Sequence, residues 1–299
     1  MPAELTETLF TQAEGRIRLF WRILLFLIVG GFVAGMAGIL LPYGVQGGSF
    51  ALLLGGLVGG WIMLALDGRS PDALGFYVTA ATGREAILGL GLGVVIALSV
   101  VLVMAVLGGL SWSSEAGTLG GWVMGGASAA LFLTIPAAAE EVLLRGYPLQ
   151  ALAESMGDSV ALVVTAVAFG ALHLGNPEVS WLGVVNVTAA GLLLGTVYLK
   201  TGSLWWATGV HVGWNWAHGY VADLPVSGME LLDAPFYTGA SVGPIWLGGG
   251  GFGPEGSAVA TVVVLASTAA LWWGPWLRYS ETASRSRPLA LAGRVQAHE

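Results

Sequence analysis

Three short stretches of this chain carry side chains able to do acid–base chemistry, and each lies within or at the end of an apolar run. In "AAAEEVLLRG" (Ala137–Gly146), Glu140 and Glu141 close a long uncharged stretch and Arg145 follows four positions after Glu141. Residues at i and i+4 share a helix face, so Glu141 and Arg145 can pair. Glu140 is turned about 100° away from them, which leaves its carboxylate available. "FGALH" (Phe169–His173) ends a second apolar run with an imidazole. "HVGWN" (His211–Asn215) again spaces its two polar residues four apart, so imidazole and carboxamide face the same way. Asn186 lies in the run between them, and helix–helix hydrogen bonding explains it as well as chemistry does. His218, seven after His211, reads as an interfacial residue. A carboxylate, two imidazoles and a carboxamide on neighbouring helices are what amide hydrolysis needs. One group takes a proton from water and others stabilise the developing oxyanion.

The elements that must position these residues are membrane helices. Of 299 residues, 56% are hydrophobic and only 10% charged, against about 25% charged in soluble domains. Mean hydropathy is +0.79. Apolar stretches long enough to cross a bilayer, about 20 residues each, occur at roughly 23–41, 49–66, 86–109, 119–144, 159–175, 179–199, 203–220 and 256–276. The expected fold is therefore all-α, a polytopic membrane bundle of about eight helices, since no barrel-like alternation is present. Intramembrane ionisable groups cost roughly 2.5–3.5 kcal/mol each, so those in the fourth to seventh stretches are functional candidates.

Charge sets the expected orientation. With the amino terminus inside, all 11 basic residues fall on one side or at its boundary, among them Arg16, Arg18, Arg22, Arg69, Arg84, Arg145, Lys200 and Arg278. The opposite loops hold only acids, such as Glu115, Glu178, Asp223, Glu230, Asp233 and Glu255. Both termini are then cytoplasmic. The organisation reads as a polar lead (1–22), three helices (23–110), a four-helix core (119–220), a Gly-rich extracytoplasmic loop (221–255), an eighth helix (256–276) and a cytoplasmic tail (277–299). "GGLVGG" (Gly55–Gly60) permits close helix packing. Cysteine is absent, which excludes disulfides and thiol chemistry. No basic patch suggests nucleic acid. One difficulty stands out. If the fifth helix starts at Asp158 on the inner surface, His173 lies about 22 Å further out at 1.5 Å per residue, whereas Glu140 and His211 lie near the inner ends of theirs. Residues 147–157 are then expected to form a dipping or amphipathic element, unless the fourth and fifth helices are tilted or offset.

"EEVLLRG", "FGALH" and "HVGWN" resemble, in order, the EExxxR, FxxxH and HxxxN motifs of the CAAX protease and bacteriocin-processing (CPBP, or Abi) family, which includes the type II CAAX prenyl protease. The resemblance covers roughly residues 120–220. It implies an intramembrane endopeptidase in which Glu140 activates water, His173 orients it, and His211 with Asn215 supplies the remaining polar contacts. Glu141, Arg145, Phe169 and Asn186 would support them. The implied substrate is a C-terminal CAAX-like or other membrane-associated peptide, lipidated or not, and membrane lipid is the implied surrounding, in the plasma membrane. No cofactor is required on this reading. HExxH is missing, but a three-ligand zinc site from Glu140, His173 and His211 stays open. "GGASAA" (Gly125–Ala130) is not the GxSG of rhomboids, and no GxGD is present. Two other readings follow from the same residues. One is a catalytically idle scaffold or bacteriocin-immunity protein. The other is an ion-coupled transporter, for which no inverted repeat is visible. The sequence assigns no oligomeric state.

Overall fold

A computed structural model of the chain describes residues 10–11, 16–279, 283–284 and 289. Most of the polar lead and most of the tail lie outside the described residues. The chain forms α1 (Leu19–Leu40), α2 (Val45–Leu66), α3 (Thr82–Val106), a short strand β1 (Leu110–Ser114) and α4 (Leu119–Glu141). A π-helical turn (Val142–Gly146) then leads into α5 (Tyr147–Met156). There follow α6 (Asp158–Leu172), α7 (Trp181–Thr201), α8 (Leu204–Trp216) with its own π-helical turn (Ala217–Val221), β2 (Tyr237–Ser241), the single turn α9 (Ile245–Gly248) and α10 (Ala258–Trp273). The two strands pair antiparallel, Leu110 opposite Ser241, and join the two loops on that end of the bundle.

Local chemistry marks the helix ends. Thr118, Ser180, Ser203 and Ser257 each accept a hydrogen bond from the backbone N–H three residues on, satisfying a donor that the first turn leaves open. α1 stops at Leu41, in extended conformation before Pro42, because the proline ring disfavours a helical residue ahead of it. α7 stops at Gly202, left-handed at φ 66°, whose N–H returns to the Tyr198 carbonyl at 2.7 Å.

Five helical segments are long and apolar enough to cross a membrane: α1, α2, α3, the continuous Leu119–Met156 stretch and α7. α6 and α10 are apolar but shorter. Length alone therefore supports five of the eight expected crossings as full spans. α6, α8 and α10 complete the bundle as shorter helices. The bundle's outward faces are apolar, as at Ile39 of α1, Leu131 of α4 and Val262 of α10, so this is an integral membrane protein.

α8, which carries His211 and Asn215, sits at the centre against α3, α4 and α7. Its contact with α3 is backbone to backbone. Gly89 and Gly93 of α3 face Gly209 and Gly213 of α8, and a Cβ at Gly93 would lie 2.1 Å from the Val210 carbonyl oxygen and 2.9 Å from the Trp214 nitrogen. Small residues four apart allow helices to approach this closely in lipid. Gly93→Ala is accordingly expected to lower the melting temperature in detergent by the equivalent of about 1–3 kcal/mol, the cost of overpacking a rigid contact. Gly91→Ala, on the same helix with nothing within 4 Å of its Cβ, should leave it unchanged or raise it. Equal effects at both positions would contradict the close approach. "GGLVGG" is used on two sides. Gly55 and Gly59 meet α1 at Gly30, while Gly56 meets Val142 and Gly60 meets Leu74.

Candidate active site

α4 brings Glu140 to the centre of the bundle with a proline one turn earlier. Pro136 has no N–H, so the Phe132 carbonyl four residues back has no helical donor. Gln46, in the first turn of α2, supplies one, its Nε2 lying 2.7 Å from that oxygen. An unpaired carbonyl would cost several kcal/mol in hydrocarbon, so the pair keeps α4 intact beside the site.

The π-helical turn after Glu141 leads into α5, which continues to Met156. Gly157, at φ 84°, reverses the chain into α6. α5 and α6 then lie side by side, and the Arg145 guanidinium rests 4.4 Å from the Phe169 ring centroid. Arg145 and Phe169 each stand twelve residues from Gly157. Glu140 and His173 stand seventeen and sixteen residues from it, so the two helices deliver them to one level. Residues 147–157 thus carry the chain on as a helical arm to the reversal at Gly157, and the near-equal residue counts on the two arms remove the mismatch between Glu140 and His173. Arg22 ties α5 to the end of α2, donating to Tyr147 Oη at 2.7 Å, Glu154 at 2.8 Å and Asp67 at 2.7 Å.

Glu140, His173, His211 and Asn215 all line one cavity of about 120 Å³, with Phe169 among its apolar walls. The two glutamates differ as the helical geometry predicts. Glu141 is fully buried, its Oε1 accepting from Arg145 Nη1 at 3.1 Å. Glu140 is 35% exposed in its side chain, and no protein donor reaches its Oε2 among the described residues. Arg145 is also fully buried, and its Nη2 donates to the Gly191 carbonyl of α7 at 3.2 Å.

Sequence reasoning missed a further contact of Glu141. Its Oε1 also lies 2.9 Å from His211 Nδ1. The carboxylate therefore ties the first motif to the third, and it sets the imidazole with Nε2 toward Glu140, 3.7 Å from Glu140 Oε2. That spacing exceeds a direct hydrogen bond and suits two groups acting on a shared substrate atom or water. His173 is set in a similar way. Its Nδ1 lies 2.8 Å from the Phe169 carbonyl, which can only accept, so Nδ1 carries the proton and Nε2 is left free. Phe169 stands edge-on to both rings, with centroids 4.7 Å from His173 and 5.9 Å from His211.

Asn186 is not brought to the cavity. Its Nδ2 donates to the Glu255 and Ser257 carbonyls, both at 2.7 Å, and its Oδ1 accepts from Thr261 Oγ1 at 2.6 Å. It ties α7 to the start of α10. His218, expected at the interface, is instead fully buried against Trp214. Among the described residues no three His, Cys, Asp or Glu side chains converge as a metal-binding group. Glu140, His173 and His211 share a cavity but do not form such a group. The cavity's other wall comes from the segment read as an external loop, through Val226, Ser227, Met229, Leu231 and Glu255.

Residues 122–217 match the family model described as Type II CAAX prenyl endopeptidase Rce1-like, so the family that the three motifs resemble is the one found by comparison. The match covers the stretch that holds Glu140, His173, His211 and Asn215. No curated protein and no solved structure matches the chain.

Proposed function

We propose that this chain, whose residues 122–217 match the type II CAAX prenyl endopeptidase model, is an intramembrane endopeptidase that hydrolyses a peptide bond with water activated by Glu140. The observation that carries this reading is the pair of adjacent carboxylates with divided roles. Glu141 is buried and holds His211, while Glu140 faces the cavity. Glu140 takes a proton from water as the water oxygen bonds to the scissile carbonyl carbon. His173 Nε2 accepts the other water hydrogen and orients the attack. His211, protonated on both nitrogens with Nδ1–H held by Glu141, aims its Nε2–H, and Asn215 its carboxamide N–H, at the position where the carbonyl oxygen gains charge, and donors aimed there stabilise the oxyanion. The C–N bond then breaks, and Glu140 returns its proton to the leaving amine.

The described geometry supports access from the side. Val45, 42% exposed, and Ser49 of α2 line the cavity together with Leu133 and Pro136 of α4, so a peptide held in the membrane reaches Glu140 between these helices. We place both termini in the cytoplasm on the distribution of Lys and Arg. Purified protein in liposomes, given a prenylated CAAX reporter and a pool of unprenylated apolar peptides, is expected to cleave at least one class. Folded protein that cleaves neither would defeat this reading.

A further inference from the structure

A helix carbonyl points toward the residue four positions on. For Phe132 of α4 that residue is Pro136, which has no N–H to offer and which lines the cavity. An unused acceptor is thus aimed at the cavity rim, and Gln46 Nε2 of α2 fills it at 2.7 Å. On either side of Gln46 along α2, Val45 and Ser49 line the cavity, and so does Leu133, next to Phe132. The hydrogen bond therefore crosses the opening between α2 and α4 through which a peptide reaches Glu140.

Little else holds that opening shut. Among the described residues no other side-chain hydrogen bond or ion pair links α2 to α4. Ten residues further along α2, about 15 Å at 1.5 Å per residue, the helix meets the π-helical turn without a gap, since a Cβ at Gly56 would lie 2.7 Å from Val142 Cγ1. The two elements are thus tight at Gly56, while at Gln46 their polar link is one side chain. The adjoining end of α1 is itself largely exposed, at Phe32, Met36, Ile39 and Leu40.

This bond can be exchanged. Breaking it alone strands a carbonyl in apolar surroundings, which is costly. A peptide N–H brought to the same oxygen replaces the lost donor, so opening is favoured as substrate enters. An extended peptide offers such an N–H at each residue other than proline, whereas one held as a helix has spent most of them on its own carbonyls.

We infer that Gln46 is a latch on the opening between α2 and α4, and that the Phe132 carbonyl, freed by Pro136, receives a backbone N–H of an extended substrate in its place. Gln46 and Phe132 are then positioning residues for the reaction. The inference rests on the peptidase reading and adds to it how the substrate backbone is held.

The test uses a peptide that the full chain cleaves in liposomes. One hydrogen bond is worth roughly 2- to 12-fold in an equilibrium. Gln46→Leu should lower KM about threefold or more with kcat unchanged, because the competing donor is gone. Its melting temperature should fall, since the carbonyl is left unpaired at rest, and damage to the fold alone would not improve KM. In a series of peptides, each backbone N–H flanking the scissile bond, but not at it, is replaced in turn by an ester oxygen. One position should raise KM for wild type about fivefold or more. Pro136→Ala returns an N–H to Phe132 within α4, so it should abolish that sensitivity and make KM indifferent to Gln46→Leu. A KM unchanged or raised by Gln46→Leu overturns the inference and leaves the peptidase reading standing. So does an ester series flat within about twofold on wild type, or a sensitive position that persists in Pro136→Ala. Cleavage of neither the reporter nor any peptide in the pool defeats both. If a variant does not fold, the ester series on wild type decides the matter, because it alters only the peptide.

Discussion

Glu140→Gln is expected to lower kcat for peptide hydrolysis by about 10³-fold, within the range of 10²–10⁴ that a positioned general base contributes, while the protein melts at the wild-type temperature. The second half of this expectation distinguishes it from a structural effect. Glu140 is 35% exposed and no protein donor holds its Oε2 among the described residues, so a carboxamide of the same shape leaves no partner stranded. Glu141→Gln should lower the melting temperature as well as kcat, because its carboxylate is buried between Arg145 and His211. Activity of wild type should not change with chelator, since Glu140 itself takes the proton from water. Loss of wild-type cleavage with chelator and its return with zinc would remove the water-activating role from Glu140 and make it a ligand. Glu140→Gln at near wild-type rate would end the mechanism outright.

Much of this site was legible in the sequence, and the parts that were not share a physical cause. The i, i+4 spacings fix helix faces, and these separated Glu140 from Glu141 and placed His211 with Asn215. Depth is not a local property. The fourth apolar run was read as ending at the membrane surface near residue 144, but the helix continues to Met156, and Gly157 is the true reversal. Counting from that glycine puts Glu140 and His173 level. Glu255 was counted among external acids because it sits in a Gly-rich stretch. Its one signal was proximity to Ser257, the cap of an apolar helix. The Glu141–His211 contact joins residues seventy apart, and the Gln46–Phe132 bond joins residues eighty-six apart. Pro136 announces that the Phe132 carbonyl needs a donor, but a sequence pattern cannot say which helix brings it.

Arg145→Ala should be the most destabilising single change at the site. Arg145 and Glu141 are both fully inaccessible, and removing one partner of a buried pair leaves the other charge uncompensated, at a cost of about 3–5 kcal/mol. The guanidinium also donates to Gly191 of α7 and covers the Phe169 ring of α6. Its loss therefore loosens the contact among α4, α6 and α7 that brings Glu140 and His173 together. A fall in melting temperature of roughly 10 °C in detergent is expected, at about 2–4 °C per kcal/mol for a chain of this size class. Converting both members to neutral residues, Glu141→Gln with Arg145→Met, should recover much of that loss, since replacing an entire buried pair is often near neutral. It should not recover cleavage. A neutral carboxamide at position 141 presents either its oxygen or its NH2 to His211 Nδ1, so it no longer fixes the ring's protonation or which nitrogen faces Glu140. Recovery of stability without recovery of kcat would separate the two duties of Glu141, pairing with Arg145 and orienting His211. A double variant as active as wild type would show that His211 needs no carboxylate behind it, and a melting temperature unmoved in Arg145→Ala would show that the pair does not hold the helices together.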